Sequence, residues 1–160
     1  MTVNKHRPHL LVLPEDDANR QLANGFDVNV GRRQFQILPP AGGWVQVCDT
    51  FASNHATSMQ RYAGRFMVLL IDFDGDLNRL GVVKSKIPED LRDRVFVLGA
   101  LTRPEGLRQA GLGSYETIGG GIATDCRDDS QAIWEHELLR HNKSELMRLR
   151  NAVRDFLFPA

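Results

Sequence analysis

Apolar residues in this chain are gathered into short dense runs over roughly the first two thirds, then spread at intervals of three and four. His9-Leu10-Leu11-Val12-Leu13, closed by Pro14, reads as a buried first strand. Arg33 to Leu38 alternates polar and apolar residues and predicts a second strand, ended by Pro39-Pro40. Arg65 to Ile71 predicts a third strand, and Val95 to Leu98, followed by Gly99, a fourth. Helices are expected between them. One runs from Ala18 to Asn24, with Gly25 placed just past its end. Another runs from about Val45 to Tyr62, with Ser53-Asn54-His55 as a candidate interruption, and a short one from Asp76 to Val83. Pro88-Glu89-Asp90-Leu91 reads as a single helical turn.

Beyond Gly99 the pattern is helical. Pro104 suits the first position of a helix from Glu105 to Ala110. Ser114 to Asp125 opens with a capping-box-like Ser-Tyr-Glu-Thr, while Gly119-Gly120-Gly121 reads as a flexible turn. The segment from about Ser130 to Phe158 carries one stripe of Ile133, Trp134, Leu138 and Leu139 and another of Leu146, Leu149, Val153 and Phe156. Asn142-Lys143-Ser144-Glu145 reads as a capping box between two helices.

Strands alternating with helices imply an α/β fold with a mainly parallel four-stranded sheet flanked by helices. The expected organisation is a single domain over 1–160, with an α/β core over 9–99 and a C-terminal helical extension over 100–160. Ligands of such sheets bind beyond the carboxyl ends of the strands.

At that position the third strand carries its chemistry. Leu69-Leu70-Ile71-Asp72-Phe73-Asp74-Gly75-Asp76 passes from an apolar run into three acidic residues at alternate positions. In an extended chain these side chains share a face, where carboxylates repel unless a cation lies between them. Hard oxygen ligands suit Mg²⁺ or Mn²⁺. The same residues also fit an ordinary Asp/Gly turn. Glu15 stands just beyond the first strand and is followed by Asp16. If strands one and three are neighbours, all these carboxylates meet at one edge.

Composition narrows the function classes. Of 160 residues, 20 are basic and 20 acidic, giving a formal net charge of zero. No basic excess points to a protein that coats nucleic acid, although a local basic patch remains open. Cys48 and Cys126 are far apart, without CxxC spacing, as expected of free thiols in a reducing compartment. Residues 1–9 lack the apolar core of a signal peptide, and the longest apolar run, Phe66 to Ile71, is too short to span a bilayer. A cytoplasmic protein without membrane contact is expected.

One glutamate after a first strand (Glu15) and an Asp-x-Asp after a third (Asp72, Asp74) resemble the Toprim domain of topoisomerases, bacterial primases and overcoming-lysogenization-defect nucleases. The strand and helix order from His9 to Leu98 is similar to that family too. The resemblance implies Mg²⁺-dependent phosphodiester processing of a DNA or RNA backbone. Asp72 and Asp74 would hold the cation, Glu15 would bind metal or act as general acid/base, and Asp76 would supply an outer ligand. Asp16 is a further candidate, and Glu105, after the fourth strand, another. Arg79 and Arg103 would hold flanking phosphates, or else serve as solvated surface residues. Many Toprim domains have glycine after the glutamate, where this chain has Asp16-Asp17-Ala18-Asn19. A P-loop is absent from the sequence, so an ATPase of the kind that accompanies some Toprim nucleases would be a separate partner. The alternative within this family is a catalytically silent assembly or regulatory module.

Asp72-Phe73-Asp74-Gly75-Asp76-Leu77 also resembles the first motif of haloacid-dehalogenase-type phosphatases, with Asp76 in place of threonine. That likeness would make Asp72 a nucleophile and Asp74 an acid/base, again with Mg²⁺, and would call on Lys84 or Lys86 and Asp128-Asp129. His136 and His141, five apart, read as surface or packing residues, and His55 shows no evident ligand partner. Trp44 and Trp134 read as packing or interface residues. The last apolar stripe covers the sheet or pairs with a second copy of the chain.

Overall fold

The computed structural model describes residues 3–27, 30 and 33–158. Its centre is a four-stranded sheet, β1 (His9–Pro14), β2 (Phe35–Ile37), β3 (Arg65–Leu70) and β4 (Val95–Leu98). The strand order is β2-β1-β3-β4 and every pairing is parallel, with Leu11 opposite both Gln36 and Met67 and Leu69 opposite Val97. Parallel neighbours require crossovers, and helices supply them. α1 (Asp17–Asp27) joins β1 to β2, and α4 (Asn78–Ser85) lies between β3 and β4. Between β2 and β3 come α2 (Trp44–Thr50), a π-helical segment Phe51–His55 and α3 (Ala56–Arg61). The π segment falls where Ser53-Asn54-His55 suggested an interruption.

Alternation along the strands builds two apolar layers. Leu10, Val12, Val68, Phe96 and Leu98 face one side, against α1, α5 (Pro104–Gln109), α6 (Tyr115–Asp128) and α7 (Lys143–Leu157). Leu11, Leu13, Met67, Leu69, Val95 and Val97 face the other, against Val47, Phe51, Met59, Val83 and Leu91. Because both faces are covered, β1 is buried along its whole length, as its unbroken apolar run requires. No described helix is long and apolar enough to cross a membrane.

Four expectations change. Gly25 does not end the first helix; it lies within α1, and the helix continues to Asp27. Gly119-Gly120-Gly121 is not a turn but the middle of α6. The two corrections share a cause. A Cβ on Gly25 would lie 2.1 Å from the Glu116 carbonyl oxygen, and one on Gly119 would lie 2.0 Å from that of Leu22. The glycines are there so that two helix backbones can touch.

Residues 130–139 form turns rather than a helix, ahead of a 3-10 segment at Arg140–Asn142. The reason is Asp125, 2 % exposed, whose carboxylate accepts hydrogen bonds from the N–H groups of Ala132, Ile133 and Trp134 and from the Ser130 hydroxyl. Those N–H groups are thereby diverted from a helical ladder.

Asn142 and Glu145 do not form a capping box. The Asn142 side chain accepts from the Gly99 N–H at 3.1 Å and donates to its carbonyl at 2.9 Å, and Glu145 accepts from the Val97 N–H at 3.2 Å. They serve the unpaired edge of β4, which would otherwise leave buried donors without partners.

Candidate functional site

The chain leaves β1 towards β2 on one side and returns to β3 on the other. The strand order therefore reverses between β1 and β3, where open parallel sheets place their ligands. Glu15 and Asp72 stand at that point. The Glu15 N–H donates to the Leu70 carbonyl at 2.9 Å, which prolongs the β1–β3 pairing by one residue. The Glu15 carboxylate then accepts the Asp72 N–H at 2.6 Å. The Glu15 side chain thus reaches the backbone of Asp72, 57 residues further along the chain.

Strand parity places Asp72 on the α1 side of the sheet, in line with Val68. It is 5 % exposed, and its Oδ1 accepts from Asn19 Nδ2 at 3.0 Å. Asn19 is fully buried; the same Nδ2 donates to Asp16 Oδ1 at 2.9 Å, and the Asn19 N–H donates to that oxygen at 3.0 Å. Asp16 thus caps α1 while Asn19 ties it to Asp72. Carboxylate oxygens only accept, which fixes the amide with its nitrogen towards them. Its oxygen, Asn19 Oδ1, is buried and has no hydrogen-bond partner.

Burial first, and then the neighbouring Glu15, Asp16 and Asp74 charges, push the Asp72 carboxyl up to about 7 against the help of the Asn19 amide. Burial also raises Glu15, as do Asp16 and Asp74, while the Asp72 N–H works the other way. Both shifts report burial foremost, with the neighbouring negative charges adding to it.

Asp74 departs from strand geometry. It has φ +50° and Gly75 has φ +78°, so the chain turns instead of running on extended. The loop is fastened to the segment after β4 by bonds from the Phe73, Asp74 and Gly75 N–H groups to the Ala100, Thr102 and Leu101 carbonyls. Phe73, 1 % exposed, anchors it below, with its ring 5.0 Å from that of His141.

Two arginines hold the Asp74 carboxylate: Arg79 Nη1 at 2.8 Å and Arg103 Nε at 3.3 Å. Their bonds, Arg79 first, hold its carboxyl below the usual range. Arg79 Nη1 also donates to the Asp72 carbonyl at 2.8 Å, and its guanidinium lies 4.6 Å from the centre of the Trp44 ring. Arg79 is the more buried of the pair, its side chain 14 % exposed against 72 % for Arg103.

The left-handed turn removes Asp76 from the group: its carboxylate is exposed and accepts the Asn78 N–H at 3.0 Å, beside the start of α4. Glu105 is exposed in the first turn of α5 and is not among the charges acting on Asp72. Of the residues that the phosphatase likeness would call on, Lys84 pairs with Glu145 at 3.3 Å and Asp128 with Arg127 at 2.8 Å.

Asn19 and Trp44 carry structural roles at this rim that their spacing did not announce. The one local signal for Asn19 was its position three residues after an acidic helix cap. Among the described residues, no three His, Cys, Asp or Glu side chains are grouped so that they could hold a metal ion. Carboxylate oxygens are the donor class a hard cation takes, and Glu15, Asp16 and Asp72 supply them at this rim, while the Asn19 amide turns its nitrogen, not its oxygen, towards Asp16 and Asp72. Glu15, Asp16, Asp72 and Asp74 are near enough for their charges to act on one another. No protein-family model, curated protein or solved structure matches this chain.

Proposed function

We propose that this chain is a Mg²⁺- or Mn²⁺-dependent enzyme of Toprim-like type that processes nucleic-acid phosphodiesters, alone or as a subunit of a larger assembly. The observation that supports it most is the 2.6 Å bond from the Asp72 N–H to the Glu15 carboxylate at the sheet's reversal point. Asp72 and Asp74 would hold the cation, with Glu15 and Asp16 beside them. The cation, when bound, supplies charge stabilisation at a phosphoryl oxygen and orients an attacking water. The chain's own groups do the rest. Asn19 fixes the Asp72 carboxylate against α1. Glu15, its carboxyl raised by burial, is the group placed to take or return a proton. Arg79 and Arg103 present guanidinium groups suited to forked contact with phosphate oxygens.

One observation favours the second reading, a catalytically silent assembly or regulatory module: Asp74 is already neutralised by two arginines. Incubation of the protein with plasmid DNA and with RNA, plus Mg²⁺ or Mn²⁺, beside Asp72→Ala, separates the two. Cleavage that is lost in the variant supports the enzyme. Cation binding without cleavage, with or without candidate partner proteins, supports the module.

A further inference from the structure

Two cavities meet at Trp134, on the side of the sheet covered by α1, α6 and α7. The inner one, of about 70 Å³, lies against the sheet between residues such as Val12, Phe26, Val68 and Leu149. No charged side chain among the described residues lines it. An apolar cavity of ~150 Å³ accepts benzene, so this one has room for a few carbons. The outer one, of about 240 Å³, lies between the turn after α6 and the face of α7 that carries Lys143, Leu146, Met147 and Arg150, at spacings of three and four. Trp134 and Leu146 line both cavities. None of the residues of the Glu15–Asp72 rim lines either.

The outer cavity combines apolar surface with unpaired positive charge. Met147 is 56 % exposed, more than any other large apolar side chain described. Trp134 is buried, and its Nε1–H meets no acceptor, which a fully satisfied wall would not leave. Arg140 and Lys143 are exposed, and among the described residues neither side chain has a hydrogen bond or ion pair. The acidic residues are mostly committed. Asp125 takes its four donors and so holds the turn in place, and Asp129 pairs with Arg150 at 3.6 Å. Glu135 alone stands against the two free cations, so the balance at this mouth favours an anion.

We propose that the two cavities form one binding site for a small amphiphilic anion, a carboxylate on a short alkyl chain. The chain lies over Met147 and Leu146 and reaches past Trp134 into the inner cavity, which removes apolar surface from water. The carboxylate stays at the mouth, with Arg140 and Lys143. This site is separate from the cation-dependent one above and stands or falls without it.

NMR of the nitrogen-15-labelled full chain, titrated with sodium octanoate kept below its micelle concentration, tests it. Trp44 and Trp134 are the two tryptophans, so each gives its own indole N–H signal. The Trp134 signal should shift to saturation, while that of Trp44, packed on the opposite face of the sheet, should stay. Acetate has the head without the chain and should cause no saturable shift. Octylammonium has the chain with the opposite charge and should bind more weakly than octanoate. Arg140→Gln and Lys143→Gln change exposed side chains and should keep the thermal transition of the wild type. Each should weaken octanoate binding by about twofold to fivefold, the scale of an exposed ion pair. A Trp134 signal that octanoate leaves unmoved in the folded protein overturns the site. Saturable binding of acetate as tight as that of octanoate removes the role of the inner cavity and overturns the proposal. Octylammonium binding as tightly as octanoate, or octanoate affinity unchanged in both variants, overturns it as an anion site.

Discussion

The Glu15 carboxylate accepts the backbone N–H of Asp72 at 2.6 Å, although the two residues are 57 positions apart. This bond carries the β1–β3 pairing past the last strand residues and brings two negative side chains to one rim. In Glu15→Gln one of the charges that raise Asp72 is gone. Titration of the Asp72 carboxyl by carbon-detected NMR should show its midpoint shifted below that of the wild type. An unchanged midpoint would mean that the two side chains do not sense each other.

Asp72 also makes stability depend on pH. Its carboxyl is raised from 3.8 to about 7 in the folded chain. Between those values the folded state keeps a proton that the unfolded state has lost, so stability falls as pH rises through that window and is fully lowered above it. Asp72→Asn abolishes this contribution. Urea midpoints taken from pH 5 to pH 8, without divalent cations, should show the variant gaining on the wild type as pH rises. Because the buried His9 and the half-buried His55 and His141 have lowered values and act in the opposite direction, the difference between the two proteins is the quantity to follow.

The contact of α1 with α6 sets two glycine substitutions against a third. In an ordinary helix interior, Gly→Ala gains roughly 0.5–1 kcal/mol. Gly81→Ala in α4, with nothing near its Cβ position, should show that gain. Gly119→Ala and Gly25→Ala place a methyl group about 2 Å from backbone oxygens that cannot step aside. Each should cost on the order of 1–3 kcal/mol or more, the range of overpacked cores. Denaturant unfolding measures all three.

The edge of β4 depends on Asn142, 2 % exposed. Asn142→Ala removes both side-chain bonds to Gly99 and strands a buried N–H there. A loss of roughly 1–3 kcal/mol is expected for such an orphaned group. Amide hydrogen exchange should show faster exchange at Gly99 in the variant, while β1, in the middle of the sheet, should keep its protection.

Much of the architecture could be read from local pattern. An apolar run bounded by Pro or Gly can be buried on both faces only as a strand in a covered sheet, so His9–Leu13, Arg65–Ile71 and Val95–Leu98 were found within a residue or two of β1, β3 and β4. The strand from Arg33 was expected to be longer than β2, which has only Phe35–Ile37; part of the approach to it lies outside the described residues. Helices were harder to delimit where glycine entered. Gly25 and Gly119-Gly120-Gly121 look like breakers by propensity, yet all lie within helices, and at Gly25 and Gly119 the backbone of the partner helix leaves no room for a side chain. In the same way Asp125 and Asn142 look like ordinary turn and cap residues, whereas their partners lie in other segments.

The candidate site divides along the same line. Which residues bear charge, and at which strand ends they fall, follows from composition and spacing, since side-chain chemistry and strand period are local properties. Neighbourhood is not. That β3 lies beside β1, that Asp76 is turned away, that Asn19 joins Asp16 to Asp72 and that arginines cover Asp74 all depend on hydrogen bonds and ion pairs between segments remote along the chain. Such contacts exist only once the layers have packed, because packing removes the water that would otherwise satisfy these groups.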